Sequence, residues 1–200
     1  MFIDIFLNFI VLFIKYIFGY FYFFLVGRSF LILINKFFLK EEKLPEYILF
    51  TKREILYPIF GLVLVGNILV ILNYWLALKS PVVYLILLFL LIPNLYYLSF
   101  NLNIDITFLL FYIFIPSILI ISSSNITFNY DAGYYHILHQ NWLRESNLIL
   151  GMVNIFWPFG MSSIYEYISA ILWFDTSFIY LHFLNIIFIH FFYLFLSQNL

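Results

Sequence analysis

The sequence predicts an all-α fold, a polytopic bundle of transmembrane helices, and three observations support this. Of the 200 residues, 66% are hydrophobic and only 10% are charged, whereas ordinary soluble chains carry roughly 25% charged residues. The mean hydropathy is +1.06. Long uncharged stretches separate the charged residues, and a helix needs about 20 apolar residues to cross the hydrocarbon core of a bilayer.

Charge and cysteine content exclude several function classes. Nine Lys and Arg residues nearly balance ten Asp and Glu residues, and no basic run of the kind that binds nucleic acid is present. The chain has no cysteine, which excludes disulfides, zinc–thiolate sites, iron–sulfur clusters and thiol nucleophiles. We therefore expect the lipid bilayer as a partner and no nucleic acid.

The uncharged stretches predict five transmembrane spans. The first contains Lys15, whose insertion cost of about 3 kcal/mol is offset by the apolar side chains around it. The others lie between charged residues, and a partial or short helix is predicted at about 164–174. The predicted spans are about 2–26, 55–78, 81–101, 105–122 and 177–197.

The distribution of basic residues predicts the orientation of a single membrane domain, 1–200. Six of the nine basic residues lie in the connection 27–54, and basic residues favour the cytoplasmic side of a membrane. The connection 27–54 is therefore predicted to be cytoplasmic. It follows that the N-terminus and the loop 123–163 lie outside.

The outer loop 123–163 is unusually polar and includes Asp131, which precedes a segment that can be helical. As a structural residue, Asp131 is a helix N-cap, for which aspartate is among the favoured types. As a functional residue, its carboxylate at the water–membrane boundary accepts a proton from a hydroxyl group or holds a metal ion. The sequence leaves both interpretations open.

Four further residues of this loop are candidates. His136 and His139 are neighbours on a helix face, a spacing that metal ligands use. A divalent metal held by Asp131, His136 and His139 therefore remains open, although two histidines without a fixed third ligand match no metal signature. Arg144 is the only arginine predicted outside, and its guanidinium group suits a phosphate. Glu145 is either a second acid or the solvated end of the helix.

The uncharged segment 146–163 is predicted to be an irregular loop above a cavity. Two glycines and a proline argue against a continuous helix; they are Gly151, Pro158 and Gly160. Asn154 is a polar candidate within this segment. Glu166, at the start of the next helix, either faces the cavity or is a first-turn acid stabilised by the helix dipole.

The predicted order is a span, then an outer loop that opens with an aspartate, and then surface helices. This order resembles the first outer loop of GT-C fold glycosyltransferases. Residues 130–171 look like a family of uncharacterised bacterial polytopic membrane proteins, regarded as GT-C-like enzymes of cell-envelope polysaccharide assembly. In that family an Asp-x-Gly-x-Tyr-His loop precedes a segment with Gly and Asn and a Gly-x-x-Ser step. The matching residues are Tyr130, Asp131, Gly133, Tyr135, His136, Gly151, Asn154, Gly160, Ser162 and Ser163.

The resemblance implies a GT-C-like bundle whose donor is a polyprenyl-phosphate-linked sugar. Asp131 corresponds to the loop aspartate that acts as catalytic base or metal-associated acid, and the chain corresponds to the N-terminal half of such an enzyme, as a fragment. The predicted substrate-binding residues are His136, Arg144, Glu145, Asn154 and Glu166.

Two other function classes remain open. A transporter or flippase-like subunit is expected to carry ionisable residues within several spans, and here only Lys15, His182 and His190 lie at plausible membrane depth, which counts against this class. A non-catalytic membrane assembly subunit would pack its outer loop against a partner and use Asp131 only as a cap. Convergence of the outer-loop candidates on one cavity would favour the glycosyltransferase interpretation over these two classes.

Overall fold

Helices dominate the structure, a computed structural model that describes residues 2–34, 36–37, 56–95, 106–123, 130–160, 162–173 and 179–199. Helices make up 86% of the described residues, which contain no β-strand. The α-helices are α1 (Phe2–Ile34), α2 (Leu56–Asn73), α3 (Pro81–Phe89), α4 (Ile92–Leu95), α5 (Ile106–Leu109), α6 (Ile115–Ser123), α7 (Ile137–Glu145), α8 (Ile164–Ile171) and α9 (His182–Asn199). Two π-helical turns, Leu110–Phe114 and Ala132–His136, lie before α6 and α7.

Two described helices are long and apolar enough to cross a membrane, Phe6–Ile34 and Leu56–Asn73. They coincide with the first two predicted spans, although α1 continues beyond residue 26 to Ile34. Most of the predicted cytoplasmic connection, residues 38–54, lies outside the described residues. At the other predicted spans the described apolar helices are shorter; they are Pro81–Asn94, Leu110–Ser123 and His182–Leu196.

A proline interrupts the predicted span 81–101. α3 begins at Pro81, where the missing N–H of proline costs nothing because the first turn of a helix leaves such groups unbonded. The helix ends at Phe89, four residues before Pro93. Because Pro93 has no N–H to donate to the Phe89 carbonyl and its ring crowds that oxygen, the α-helix ends there.

The described residues group into two compact units. Unit 1 contains the described residues within Met1–Gly61, Leu91–Ile126 and His182–Leu200. Unit 2 contains those within Leu62–Leu90 and Thr127–Leu181. All the candidates of the outer loop, and Glu166, therefore belong to unit 2.

In unit 1, α1 and α2 approach each other at their backbones. A β-carbon on Gly27 would overlap the carbonyl oxygen of Tyr57, and one on Gly61 would overlap the carbonyl oxygen of Phe23. Small residues at such crossings allow the close van der Waals packing that drives helix association in a bilayer. Beside the crossing, the rings of Phe24 and Tyr57 meet edge to face at 5.4 Å.

A buried histidine joins three helical segments of unit 1. The Nδ1 atom of His190 accepts a hydrogen bond from the Tyr16 hydroxyl at 2.9 Å, and its Nε2–H donates to the Phe111 carbonyl at 2.7 Å. Phe111 lies in the π-helical turn Leu110–Phe114, in which carbonyls bond to the N–H five residues later. That residue is Pro116, which has no N–H, so the Phe111 carbonyl is available to His190.

The α1–α2 crossing predicts that alanine has different effects on stability at two glycines of α1. We expect Gly27→Ala to lower the free energy of unfolding by about 1–3 kcal/mol, because the added methyl group overpacks the crossing. Gly19→Ala is the matched control, since a β-carbon there meets nothing within 4 Å. Thermal unfolding of the purified protein in detergent tests this, and equal midpoints for the two variants would contradict the crossing.

Candidate functional site

The C-terminal end of α7 is fixed by the segment that follows α2. A helix leaves its last carbonyls without internal partners. Here the Leu78 N–H donates to the Leu143 carbonyl at 3.0 Å, and the Lys79 N–H donates to the Arg144 carbonyl at 3.2 Å. The buried side chain of Asn73 also donates to the Leu143 carbonyl, at 3.1 Å. These bonds hold the C-terminal end of α7 in place without any contribution from the candidate functional side chains.

The two charged residues that end α7 make structural contacts. Glu145 forms a surface ion pair with Lys79. The Nη1 atom of Arg144 donates to the Ala170 carbonyl at 2.7 Å, and its guanidinium group lies 5.1 Å from the ring centre of Trp173. A cation is favourable near the C-terminal end of a helix, so Arg144 ties α7 to the end of α8. Neither residue contacts Glu166 among the described interactions.

The packing of α8 against α2 determines where Glu166 points. A β-carbon on Gly66 would lie 2.9 Å from Cβ of Ile164 and 3.2 Å from Cδ1 of Ile168, so these isoleucines face α2. Successive residues of an α-helix are about 100° apart, and Glu166 therefore lies on the opposite side of α8. That side contacts α7.

Glu166 is buried, with 3% of its surface exposed, and it binds two histidines. Its Oε1 atom accepts a hydrogen bond from Nδ1–H of His136 at 2.5 Å, and its Oε2 atom accepts one from Nδ1–H of His139 at 2.7 Å. The histidines are three residues apart and so share a helix face. We call these three residues the Glu166 cluster.

The Glu166 cluster fixes the protonation pattern of both imidazole rings. A carboxylate only accepts hydrogen bonds, so each Nδ1 atom must carry the hydrogen, an assignment that rests on the hydrogen-bond pattern. In the neutral ring the Nε2 atom then keeps its lone pair. Carboxylates orient histidines in this way in metal sites and in hydrolases. When both rings are neutral, the cluster presents two oriented acceptor nitrogens.

The metal site that the sequence left open is not assembled among the described residues. Within those ranges, no three His, Cys, Asp or Glu side chains are arranged to hold a metal ion. His136 and His139 direct their Nδ1 atoms to Glu166. Asp131 does not join them.

Asp131 is exposed and lies one π-helical turn before His136. Its backbone is already helical (φ −60°, ψ −36°), and its side chain makes no capping hydrogen bond. The capping interpretation is therefore not supported. Among the described residues, the Asp131 carboxylate has no hydrogen-bond or ion-pair partner, which leaves both of its oxygens open to solvent.

The segment 146–163 contains two short 3₁₀ turns, Met152–Asn154 and Trp157–Gly160, in place of a continuous helix. Gly151 precedes the first turn with φ 86°, in the left-handed region that glycine adopts without a steric penalty. Asn154 is exposed in this turn. Its described contacts include no member of the Glu166 cluster.

A cavity of about 70 Å³ opens beside His139. The aromatic ring of Phe159 forms part of its wall, 6.0 Å from the imidazole ring of His139 and 4.8 Å from the Trp142 ring between centres. The polar residues that line the cavity are His139, Ser146, Asn147 and Ser162. Asp131, Arg144 and Glu166 do not line this cavity.

The sequence analysis did not predict that Glu166 binds both histidines. His139 was a candidate only as a metal ligand. Glu166 was expected either to face the cavity or to be a first-turn acid that the helix dipole stabilises. The available signal was a histidine pair at helical spacing followed by a single acid in an otherwise apolar helix. That pattern does not show that Glu166 contacts the two histidines, which lie 27 and 30 residues earlier in the chain.

The burial of Glu166 predicts a large effect of its removal. We expect Glu166→Ala to lower the free energy of unfolding by about 1–3 kcal/mol, because His139 is left buried with an unsatisfied donor. The control is Glu145→Gln, at an exposed ion pair, for which we expect less than about 1 kcal/mol. Thermal unfolding in detergent measures both, and a smaller effect at Glu166 than at Glu145 would rule out the cluster.

Comparison of the chain with known protein families, with curated proteins and with solved structures finds no match. Its function therefore has to be inferred from the chemistry of the described residues. The observations available for this are the open Asp131 carboxylate, the Glu166 cluster and the cavity beside His139.

Proposed function

We propose that the chain belongs to a multi-pass inner-membrane glycosyltransferase of the GT-C type, which transfers a sugar from a polyprenyl-phosphate donor during cell-envelope polysaccharide assembly. The observation that carries this proposal is Asp131. Its carboxylate is exposed and has no partner among the described residues, at the start of a helical segment in a chain rich in apolar helices. A catalytic base must be free in this way to reach an incoming substrate.

The proposed reaction is inverting transfer with Asp131 as the base. The acceptor hydroxyl attacks the anomeric carbon, Asp131 takes the hydroxyl proton, and the polyprenyl phosphate leaves with the electrons of the broken glycosidic bond. General-base catalysis of this kind contributes roughly 10²–10⁴-fold to the rate. A metal-associated role for Asp131 is the other form of this proposal, with a divalent ion bound together with the donor.

Arg144 is the proposed contact for the phosphate of the donor. A guanidinium group has five N–H donors, and the described hydrogen bond to Ala170 uses only Nη1. The remaining donors suit a phosphate, whose negative charge grows as it becomes the leaving group. In the same proposal, His136, Glu145, Asn154 and Glu166 bind or support the substrates.

The proposed orientation places the N-terminus and residues 123–163 outside the inner membrane. The basic residues of the connection 27–54 support this arrangement, and among the described helices α1 and α2 are long and apolar enough to cross. The donor would then approach from the outer leaflet, with its polyprenyl chain in the bilayer.

A second candidate is a non-catalytic membrane assembly subunit. It is favoured by the observation that Arg144, Glu145 and Glu166 all make contacts within unit 2. In that case the outer segment is a rigid surface for a partner protein, and the Asp131 carboxylate is dispensable.

Substitution of Asp131 by Asn tests the proposed function. We expect loss of the envelope polysaccharide when a strain lacking the gene is complemented with the full-length locus carrying Asp131→Asn, because asparagine cannot act as a base. The variant should reach the normal membrane level, since the carboxylate makes no contact among the described residues. Immunoblotting measures that level, and gel electrophoresis measures the polysaccharide.

The control in the same strain is Lys79→Gln, which removes an exposed charge from a residue with no proposed role in substrate binding and should leave the polysaccharide at half or more of its normal amount. Unchanged polysaccharide with Asp131→Asn would contradict the transferase mechanism and favour the assembly subunit.

A further inference from the structure

We propose that the cavity beside His139 binds a hydroxyl group of a small, uncharged polyol, with Nε2 of His139 as the hydrogen-bond acceptor and Glu166 as the positioning residue. This site is separate from the proposed base, because Asp131 does not line the cavity. The inference therefore holds or fails independently of glycosyl transfer.

The first argument is the orientation of a buried imidazole ring. His139 is 5% exposed, and its Nδ1–H is bound to Glu166. Its remaining polar atom, Nε2, has no hydrogen-bond partner among the described residues. Nε2 is not among the fully enclosed side-chain atoms that lack a partner, so a small solute can reach it. A ligand with an O–H group can donate a hydrogen bond to this oriented acceptor.

The second argument concerns the hydrogen-bonding character of the cavity. The Ser146 hydroxyl already donates its hydrogen to the Trp142 carbonyl at 2.9 Å, so its oxygen is left as an acceptor. With Nε2 of His139, the cavity offers two acceptors, and the side chains of Asn147 and Ser162 can both donate and accept. A hydroxyl group, which donates and accepts, suits this lining, and only a ligand with an O–H donor can bond to Nε2 of His139.

The third argument concerns charge and size. The described residues that line the cavity include no Lys, Arg, Asp or Glu, so this lining favours an uncharged group over a phosphate or a carboxylate. A water molecule needs roughly 10–15 Å³ of such volume, and about 70 Å³ therefore holds a few non-hydrogen atoms. One end of a polyol fits this space, with its carbon skeleton against Trp142 and Phe159.

The experiment measures how fast diethyl pyrocarbonate modifies each histidine of the purified protein in detergent, with mass spectrometry to assign the sites. This reagent attacks unprotonated imidazole nitrogens that are accessible. Glycerol is the hydroxylated probe, and 1,2-dimethoxyethane is the matched solute that has acceptor oxygens without O–H groups. His190 is an internal reference for folding, because it is buried and both of its ring nitrogens are bonded.

We expect glycerol to slow the modification of His139 at least threefold relative to His136 in the same sample, and dimethoxyethane to leave that ratio unchanged. Equal slowing at both histidines, or equal protection by the two solutes, would overturn the proposal.

Two variants test the role of the surrounding residues. Glu166→Gln should remove the protection of His139 by glycerol while His190 stays unreactive, because the imidazole ring is no longer oriented. If His190 becomes reactive, Glu166→Gln has unfolded, and Ser146→Ala is then the variant that tests the proposed site. Loss of the Ser146 acceptor should weaken the protection at least twofold, and full protection in a folded Ser146→Ala variant would refute the two-acceptor site.

Discussion

The structure of unit 2 depends on one constraint, which is that the buried Glu166 carboxylate must have partners. Taking a carboxylate out of water is costly unless it is paired and hydrogen-bonded, and Glu166 meets this requirement through His136 and His139. The same two bonds join α7 to α8 and set the direction of both imidazole rings. Asp131 lies one π-helical turn before His136, and the cavity lies beside His139.

Two further contacts hold α7 against α8 and the residues that follow it. The Trp173 indole N–H donates to the side-chain oxygen of Gln140 at 3.2 Å, and Arg144 donates to the Ala170 carbonyl. In unit 1, His190 meets the same requirement for a buried polar group by bonding at both ring nitrogens.

The sequence predicted the features that depend on local composition and missed those that depend on distant contacts. The all-helical character and the first two apolar helices follow from hydropathy. The end of α3 was missed, although the position of Pro93 explains it. Asp131 was expected to cap a helix or act as an acid, and the absent cap reflects a helical backbone that begins before it. The partners of Glu166 could not be predicted, because its histidines lie on another helix.

The tautomers of the histidines test the central constraint most directly, and ¹⁵N NMR of histidine-labelled protein in detergent measures them. The account predicts that His139 carries its hydrogen on Nδ1, because Glu166 accepts it. His190 provides the contrast within the same chain, since it donates from Nε2. An Nε2–H tautomer at His139 would contradict the account, because its Nδ1 atom could not then donate to Glu166.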